Sequence, residues 1–447
     1  MKWLARLVST ATVLSATSAF AAGYDTPMLY SAYHMGAGGT AIGSVDDATA
    51  IFHNPAGLSL SGKGSAVVDF SPLMGQIKGS PDEHAESIKS QVAMSPFFFL
   101  GGSYQLHDRI HIGAAAYLLG GAAGTYSDDY SKLGGTYHAV DSAKLSFIEV
   151  SPTISFKILE HLRFGVTYRP VITSFDRTRF DTPSGGGSQV TNLDLSMKGV
   201  GWTGVRLGLQ YDVGPVSMGV TFRNKVDITV SADKITYSAF EFDNATYHFI
   251  LPAKLGYGIQ WKINDIARIA ADFEYIFNSQ NDVVNLAGNQ IIAGTSNALT
   301  VPNQMNWQDS FTFRVGGAIK VSKPVELRAG YVFDSKAANL RYPTAFGSPP
   351  GSTQIGTLGV GYKFSPAFDM SFAMAARYGA ATVSDTDSPP VDVHKVSPFS
   401  GYPGDYSILL IGAYLDARFH FGVVDKDPVL HEEPPVVAPE SASPTTI

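Results

Sequence analysis

The stretch Lys254-Leu255-Gly256-Tyr257-Gly258-Ile259-Gln260-Trp261-Lys262-Ile263 repeats with a period of two. Leu255, Tyr257, Ile259, Trp261 and Ile263 share one face, while Lys254, Gly256, Gly258, Gln260 and Lys262 share the other. Only an extended chain sends alternate side chains to opposite faces, so the segment reads as a strand with one apolar side. The turn signal Asn264-Asp265 follows, and a second alternating run starts at once. The pattern recurs in both directions. Val205, Leu207, Leu209 and Tyr211 alternate with Arg206, Gly208, Gln210 and Asp212. Leu327, Ala329, Tyr331 and Phe333 alternate with Glu326, Arg328, Gly330 and Asp334. Near the end, Ile411, Ala413, Leu415, Ala417, Phe419 and Phe421 alternate with Gly412, Tyr414, Asp416, Arg418 and His420. Each run lasts about 10 residues, the length a tilted strand needs to cross hydrocarbon.

A soluble sandwich would alternate in the same way, so loop lengths have to decide. Strands fall near 64–71, 91–106, 109–118, 143–157, 161–174, 202–212, 215–230, 253–263, 266–277, 309–320, 324–334, 353–364, 367–378 and 405–421. Turns of two or three residues (His107-Asp108, Ile158 to Glu160, Val213-Gly214, Asn264-Asp265, Ser322-Lys323, Ser365-Pro366) alternate with long loops of about 18 to 31 residues. Short turns at one end and long loops at the other, on an even number of strands, are the asymmetry of a bacterial outer-membrane barrel. The expected fold is all-β, a 14-stranded antiparallel transmembrane barrel occupying residues 63–422.

Composition agrees. Hydrophobic residues make up 45% of the chain, yet mean hydropathy is near zero, so apolar and polar residues must be interleaved. The 45 glycines and 12% aromatics suit short strands better than helices. A net charge of -7 argues against nucleic acid as partner. With no Cys, disulfides and thiolate metal sites are excluded. Residues 1–21 read as a signal peptide: Lys2 and Arg6, an apolar Leu7 to Ala16, then the small-x-small site Ala19-Phe20-Ala21. Residues 22–62 lack alternation and read as an N-terminal hatch; residues 423–447 are acidic and Pro-rich and read as a disordered periplasmic tail.

The segment Met35-Gly36-Ala37-Gly38-Gly39-Thr40-Ala41, with Asp46-Asp47-Ala48-Thr49-Ala50-Ile51-Phe52-His53-Asn54-Pro55-Ala56-Gly57-Leu58, resembles the hatch of the FadL/TodX family, outer-membrane transporters of long-chain fatty acids and aromatic hydrocarbons. Leu251-Pro252-Ala253, Ala271-Asp272-Phe273-Glu274-Tyr275, Trp307-Gln308-Asp309-Ser310 and Leu327-Arg328-Ala329-Gly330 continue the likeness in order. The resemblance implies passive uptake of hydrophobic small molecules and no cofactor. Lateral exit is expected through a kink in the third strand, at Gly120, Gly121 and Gly124. Two departures stand out. The chain runs on past Phe421, where such barrels end on an aromatic residue, and Lys and Arg are thin in the external loops that would face lipopolysaccharide.

Other motifs carry less. Gly36-x-Gly38-x-x-Ala41 matches a dinucleotide fingerprint formally, but it lacks the preceding buried strand. There is no Gly-x-Ser-x-Gly elbow, His-Glu-x-x-His or Gly-Lys-Ser/Thr loop, so an enzyme is not expected. His53 stands without ligand-type neighbours, and no metal site is expected. The hatch candidates are Asp46, Asp47, Asn54, Pro55, Ala56 and Gly57. Arg206, Lys254, Arg314 and Arg328, on the polar face, are candidates to meet a ligand carboxylate, against the alternative that they pair with luminal acids. Lys320 and Glu326, opposite across a hairpin, are expected to pair with each other. A monomer is expected. The rival functions are a general polar porin, which would lack a hatch and conduct ions, and a structural or adhesive barrel whose loops bind partners.

Overall fold

A computed structural model describes residues 23–25, 28–82, 87–132, 134–347, 350–388, 397 and 399–422. The expected signal peptide and acidic tail lie outside the described residues. In chain order the strands are β1 (Gly64–Gly79), β2 (Ala93–His107), β3 (Ile110–Lys132), β4 (Gly135–Leu159), β5 (Leu162–Pro183) and β6 (Val190–Val213). Next come β7 (Val216–Arg223), β8 (Val226–Tyr237), β9 (Phe240–Leu251), β10 (Lys254–Lys262), β11 (Ala267–Ile276) and β12 (Val283–Ile292). The last are β13 (Thr295–Gln304), β14 (Ser310–Lys320), β15 (Val325–Asp334), β16 (Thr353–Ser365), β17 (Phe368–Val383) and β18 (Gly404–Phe421). A two-residue stub, Ile88–Lys89, pairs with the end of β1.

Fourteen of these close an antiparallel barrel: β1 to β7, β10, β11 and β14 to β18, each against the next. Pairing of β1 with β18, from Gly64↔Phe421 to Lys78↔Ser407, completes the circle. The fourteen coincide with the fourteen expected from alternation. Leu207, Leu209, Tyr211, Leu255, Tyr257 and Trp261 are exposed, while Arg206, Gln210 and Gln260 are buried. Apolar outside and polar inside is the reverse of a soluble protein and is what a lipid surround demands.

The structure differs at the long-loop end, where sequence suggested loops. Strands β3 to β6 run on well past the membrane belt, and β8, β9, β12 and β13 form an extra sheet that grows from the first half of β6. The expected strand 215–230 is two strands. It breaks at Asn224-Lys225, where the Asn224 side chain accepts from the Val205 N–H at 2.7 Å and donates to the Thr203 carbonyl at 2.8 Å. Before the break Val220 and Phe222 point outward; after it Val226, Ile228 and Val230 are buried and Asp227 and Thr229 exposed. The apolar side thus changes faces where the chain leaves hydrocarbon, because the surroundings outside are water and the greasy side must turn inward.

This orientation predicts a sharp contrast between neighbours. Ile259→Arg places a cation against lipid, at a cost of about 2–4 kcal/mol near the midplane, whereas Gln260→Arg points into a polar recess. A heat-modifiability gel should show impaired barrel assembly for the first and near wild-type assembly for the second.

Candidate functional site

Residues 28–62 lie within the barrel and are buried almost throughout. They form two single-turn helices, α1 (Ala32–Met35) and α2 (Ala50–His53), and a 3-10 turn over Pro55–Leu60. So short a helix satisfies few of its own backbone groups, so partners must come from the wall. Asp69 accepts from the Ala32 N–H at 3.2 Å and Asp416 from the Tyr33 N–H at 2.8 Å, both at the start of α1. Asp272 accepts from Ala41 and Ile42 at 2.8 and 3.0 Å. Thr357 accepts from Gly38 and donates to the Gly36 carbonyl.

Asn54 is the most connected of the motif residues. Its amide donates to the carbonyls of Ile42 (2.8 Å), Leu209 (3.1 Å) and Val220 (3.4 Å), and its oxygen accepts from Ala56. Pro55 sits against Gly165 and Gly208, and the Ala56 carbonyl accepts from Ser155 at 3.0 Å. Gly57 is fixed by crowding: a Cβ there would overlap the Val45 carbonyl. The acidic pair divides. Asp47 is buried, accepts from the Thr49 N–H at 2.8 Å and faces Arg418 at 3.3 Å, while Asp46 is exposed to the cavity at the short-turn end. His53 packs on His34 with ring centroids 4.9 Å apart. Burial pushes both imidazoles down, His34 to about 4, so Arg418 and not a histidine is the counter-cation of Asp47.

Wall glycines complete the seat. Gly316 and Gly330 meet Ala37 and Gly38 so closely that a Cβ would overlap the backbone, and Gly208 and Gly219 meet Asn54 and Ile42 in the same way. A Cβ on Gly359 would lie 2.7 Å from the Gly36 Cα. These glycines were legible as alternating small residues on the polar face. Their reason, close approach of a second backbone, was not.

The four luminal cations all have carboxylate partners. Arg206 lies 3.6 Å from Glu149 and donates to the Ile51 carbonyl at 2.7 Å. Lys254 lies 3.4 Å from Asp25 and 3.3 Å from Glu274, Arg314 pairs with Glu274, and Arg328 lies 2.7 Å from Glu326. Arg206, Lys254 and Arg314 line one small cavity together with Arg223, whose partner is Asp25; Arg328 lies apart, at the short-turn end. Lys320 and Glu326 are register partners but do not pair as ions. Two arginines, Arg268 and Arg328, take Glu326, and Lys320 donates to the Asp265 carbonyl at 3.0 Å. A planar guanidinium that binds both carboxylate oxygens outcompetes an ammonium. Gln210 and Gln260, equivalent by alternation, are not equivalent either, since Gln210 donates to the Ile42 and Val45 carbonyls and Gln260 borders a recess. Sequence reasoning missed Asp25, Asp69, Glu149, Arg169, Arg223 and Asp416. For the five on strands the only signal was a charge on an otherwise small, polar face; Asp25, ahead of the strands, had none.

Two larger spaces flank this plug and differ in chemistry. At the long-loop end a cavity of about 110 Å³ is walled by Tyr24, Ala122, Leu145, Phe175, Tyr247, Phe249, Trp307, Phe346 and Phe399, with Arg177 and Asn303 among the few polar groups. At the short-turn end a cavity of about 530 Å³ is lined by Asp46, Asp212, Gln260, Lys262, Arg268, Lys320, Glu326 and Lys363. Gly120, Gly121 and Gly124 lie inside β3, and a bulge falls between Leu118 and Gly120. The backbone of Asp25 bridges to Gly120, and the Tyr30 hydroxyl donates to the Leu118 carbonyl at 2.5 Å. Among the described residues no group of three or more His, Cys, Asp or Glu is placed to hold a metal.

The glycine seat is open to test. Gly316→Val drives a side chain into the Ala37 carbonyl, whereas Gly356→Val meets nothing within 4 Å. In planar bilayers the first variant should show raised ion conductance, because the plug no longer seats, and the second should stay closed like the parent protein.

The profile of the outer membrane protein transport protein family (OMPP1/FadL/TodX) matches residues 12–409. An outer membrane protein of Neisseria meningitidis serogroup B is 23% identical over 380 residues, 72% of this chain and 80% of that protein. In fold, the chain is similar to a Pseudomonas aeruginosa FadL homologue (TM-score 0.70, 14% identity, 90% of this chain and 100% of that one). It is also similar to the P. putida toluene transporter TodX (0.65, 18%, 88% and 99%) and the Ralstonia pickettii toluene transporter TbuX (0.62, 16%, 88% and 99%). With a closed lipid-facing barrel, a seated N-terminal segment and a family match over most of its length, the chain is an outer-membrane protein of the OMPP1/FadL/TodX transport family.

Proposed function

We propose that the barrel carries compact hydrophobic molecules inward across the outer membrane as a monomer without a cofactor, the cargo leaving sideways through the wall near Gly120, Gly121 and Gly124. The observation that carries this reading is where the apolar cavity reaches the wall. Ala122 lines it, in the stretch of β3 that has lost its neighbour. Pairing of β2 with β3 runs from His107↔Ile110 to Phe99↔Tyr117, and beyond Tyr117 the ladder continues only to β4. A hydrogen bond from Gln91 to the Thr125 carbonyl at 2.8 Å bounds the unpaired stretch on its far side.

The energetics favour that exit. A ring-sized cargo buries about 150–250 Å², and keeping that area from water is worth about 4–6 kcal/mol at 25 cal/mol per Å². The axial path leads into the charged short-turn cavity, where this gain would be lost. Sideways, the cargo meets hydrocarbon. Cavity size supports a compact cargo as well, since a dry cavity of about 150 Å³ takes benzene and this one is about 110 Å³. Two solved relatives are toluene transporters, which agrees with ring-sized cargo.

Tyr24 and Asp25 stand between cavity and gap. The Tyr24 ring packs on Trp307 at 4.9 Å and Phe147 at 5.5 Å, and the Asp25 carboxylate is held by Arg223 and Lys254. In this reading a cargo carboxylate meets Lys254 only by exchange with Asp25; Arg206, Arg314 and Arg328 hold their own acids and serve structure first.

Valine at Gly120 or Gly121 is a poor probe of the gap, because its Cβ would overlap the Tyr24 or Leu145 carbonyl and shift backbone. Ala122→Trp is cleaner, since it fills the cavity where it meets the wall. A folded, heat-modifiable barrel with severalfold lower uptake of labelled toluene is expected. Uptake at the parent rate would mean that cargo leaves by another path.

A further inference from the structure

The aromatic cavity at the long-loop end has a polar corner, and the groups left over in that corner are donors. Arg177 lays its guanidinium on two of the lining rings, 4.5 Å from the centroid of Phe346 and 5.6 Å from that of Phe399. One terminal nitrogen reaches Asp141 at 3.2 Å, but Nε is buried and meets no acceptor among the described residues. Tyr247, in the roof, packs on the same Phe399 ring at 6.2 Å. Its oxygen accepts from the Asn303 amide at 3.2 Å, and its own proton meets no acceptor among the described residues. Burial pushes this hydroxyl up to about 12, so it stays a donor at neutral pH. The side-chain amide acceptors that border the cavity are engaged: the Asn303 oxygen accepts from Ser397 at 2.8 Å and the Gln304 oxygen from Tyr342 at 2.7 Å. A buried donor without a partner is costly, and an acceptor brought by the cargo removes that cost.

Charge decides which acceptor fits. Arg177 and Arg179 already face three carboxylates, those of Asp82, Asp141 and Asp181. A cargo carboxylate would add a fourth to a site where acid is in surplus, and like charges at short range oppose one another. A neutral oxygen accepts the same hydrogen bonds without that repulsion. Resting on the reading that compact apolar cargo enters this cavity, we propose that the preferred cargo is a ring-sized molecule with one neutral oxygen acceptor, such as an aryl ketone, aldehyde or ether. Its oxygen is received by Arg177 and Tyr247, and its ring lies among Phe175, Phe249 and Trp307.

Acetophenone, cumene and benzoate are matched in size and differ in bearing a ketone, an isopropyl group or a carboxylate. Binding of each labelled compound is measured by equilibrium dialysis against the full-length barrel in nanodiscs, with empty nanodiscs subtracted. Arg177→Met and Tyr247→Phe should each weaken acetophenone severalfold, up to about tenfold, and leave cumene at the parent affinity. Benzoate should bind the parent protein more weakly than acetophenone. Acetophenone at the parent affinity in Tyr247→Phe, which keeps the ring in place, overturns the proposal, as does an equal loss of cumene in that variant. Benzoate binding as tightly as acetophenone overturns it too. In each of these cases cumene bound by the parent protein leaves the apolar-cargo reading standing; a parent protein that binds neither cumene nor acetophenone overturns both.

Discussion

A backbone laid through a barrel lumen carries its N–H and C=O groups into a space nearly closed to water. Each group left unpaired there costs about 1–3 kcal/mol. The plug of this protein is too short in each turn to satisfy itself, so the wall does it. Asp69, Asp272 and Asp416 accept backbone N–H groups, and Asn54 gathers three carbonyls from the plug and two wall strands. Close approach is possible only where the wall has no side chain, which places glycine at Gly208, Gly219, Gly316, Gly330 and Gly359. The polar face that seemed merely small and hydrophilic is a mould for another piece of backbone.

The same logic distributes the charges. Inside a wall sealed by lipid, an unpaired charge is costly and a paired one specifies position. Glu149 with Arg169 and Arg206, and Glu274 with Lys254 and Arg314, tie successive barrel strands together on the luminal face. Asp25 is different, because it belongs to the plug while both its cations belong to the wall. It therefore ties the first described residues to the barrel at the point where their backbone meets Gly120.

Two environments, lipid and water, explain the rest of the architecture. Where hydrocarbon surrounds the barrel, apolar residues face out; where strands rise above it, the same alternation turns inward and roofs the lumen with Phe242, Tyr247 and Phe249. The apolar roof and the charged short-turn mouth give the two ends of the lumen opposite chemistry, separated by the plug.

Much of this was legible in the chain alone. Alternation over Lys254 to Ile263 and its repeats determined fourteen strands, which residues face lipid, and which end carries the short turns, because a period of two is a local property of extended backbone. The ordered motifs that include Asn54-Pro55-Ala56 marked the family. What the sequence did not contain was partnership. Lys320 and Glu326 sit opposite one another by register, yet Arg268 and Arg328 take the carboxylate. Gln210 and Gln260 hold equivalent places in their strands, yet only one is clamped beneath the plug. The unpaired stretch of β3 depends on where β2 ends its ladder, and the roof of β8, β9, β12 and β13 depends on alternation that keeps its period and reverses its face. Period is set by neighbours along the chain, whereas face, gap and ion pair are set by what lies across the lumen, and only the closed barrel brings those groups together.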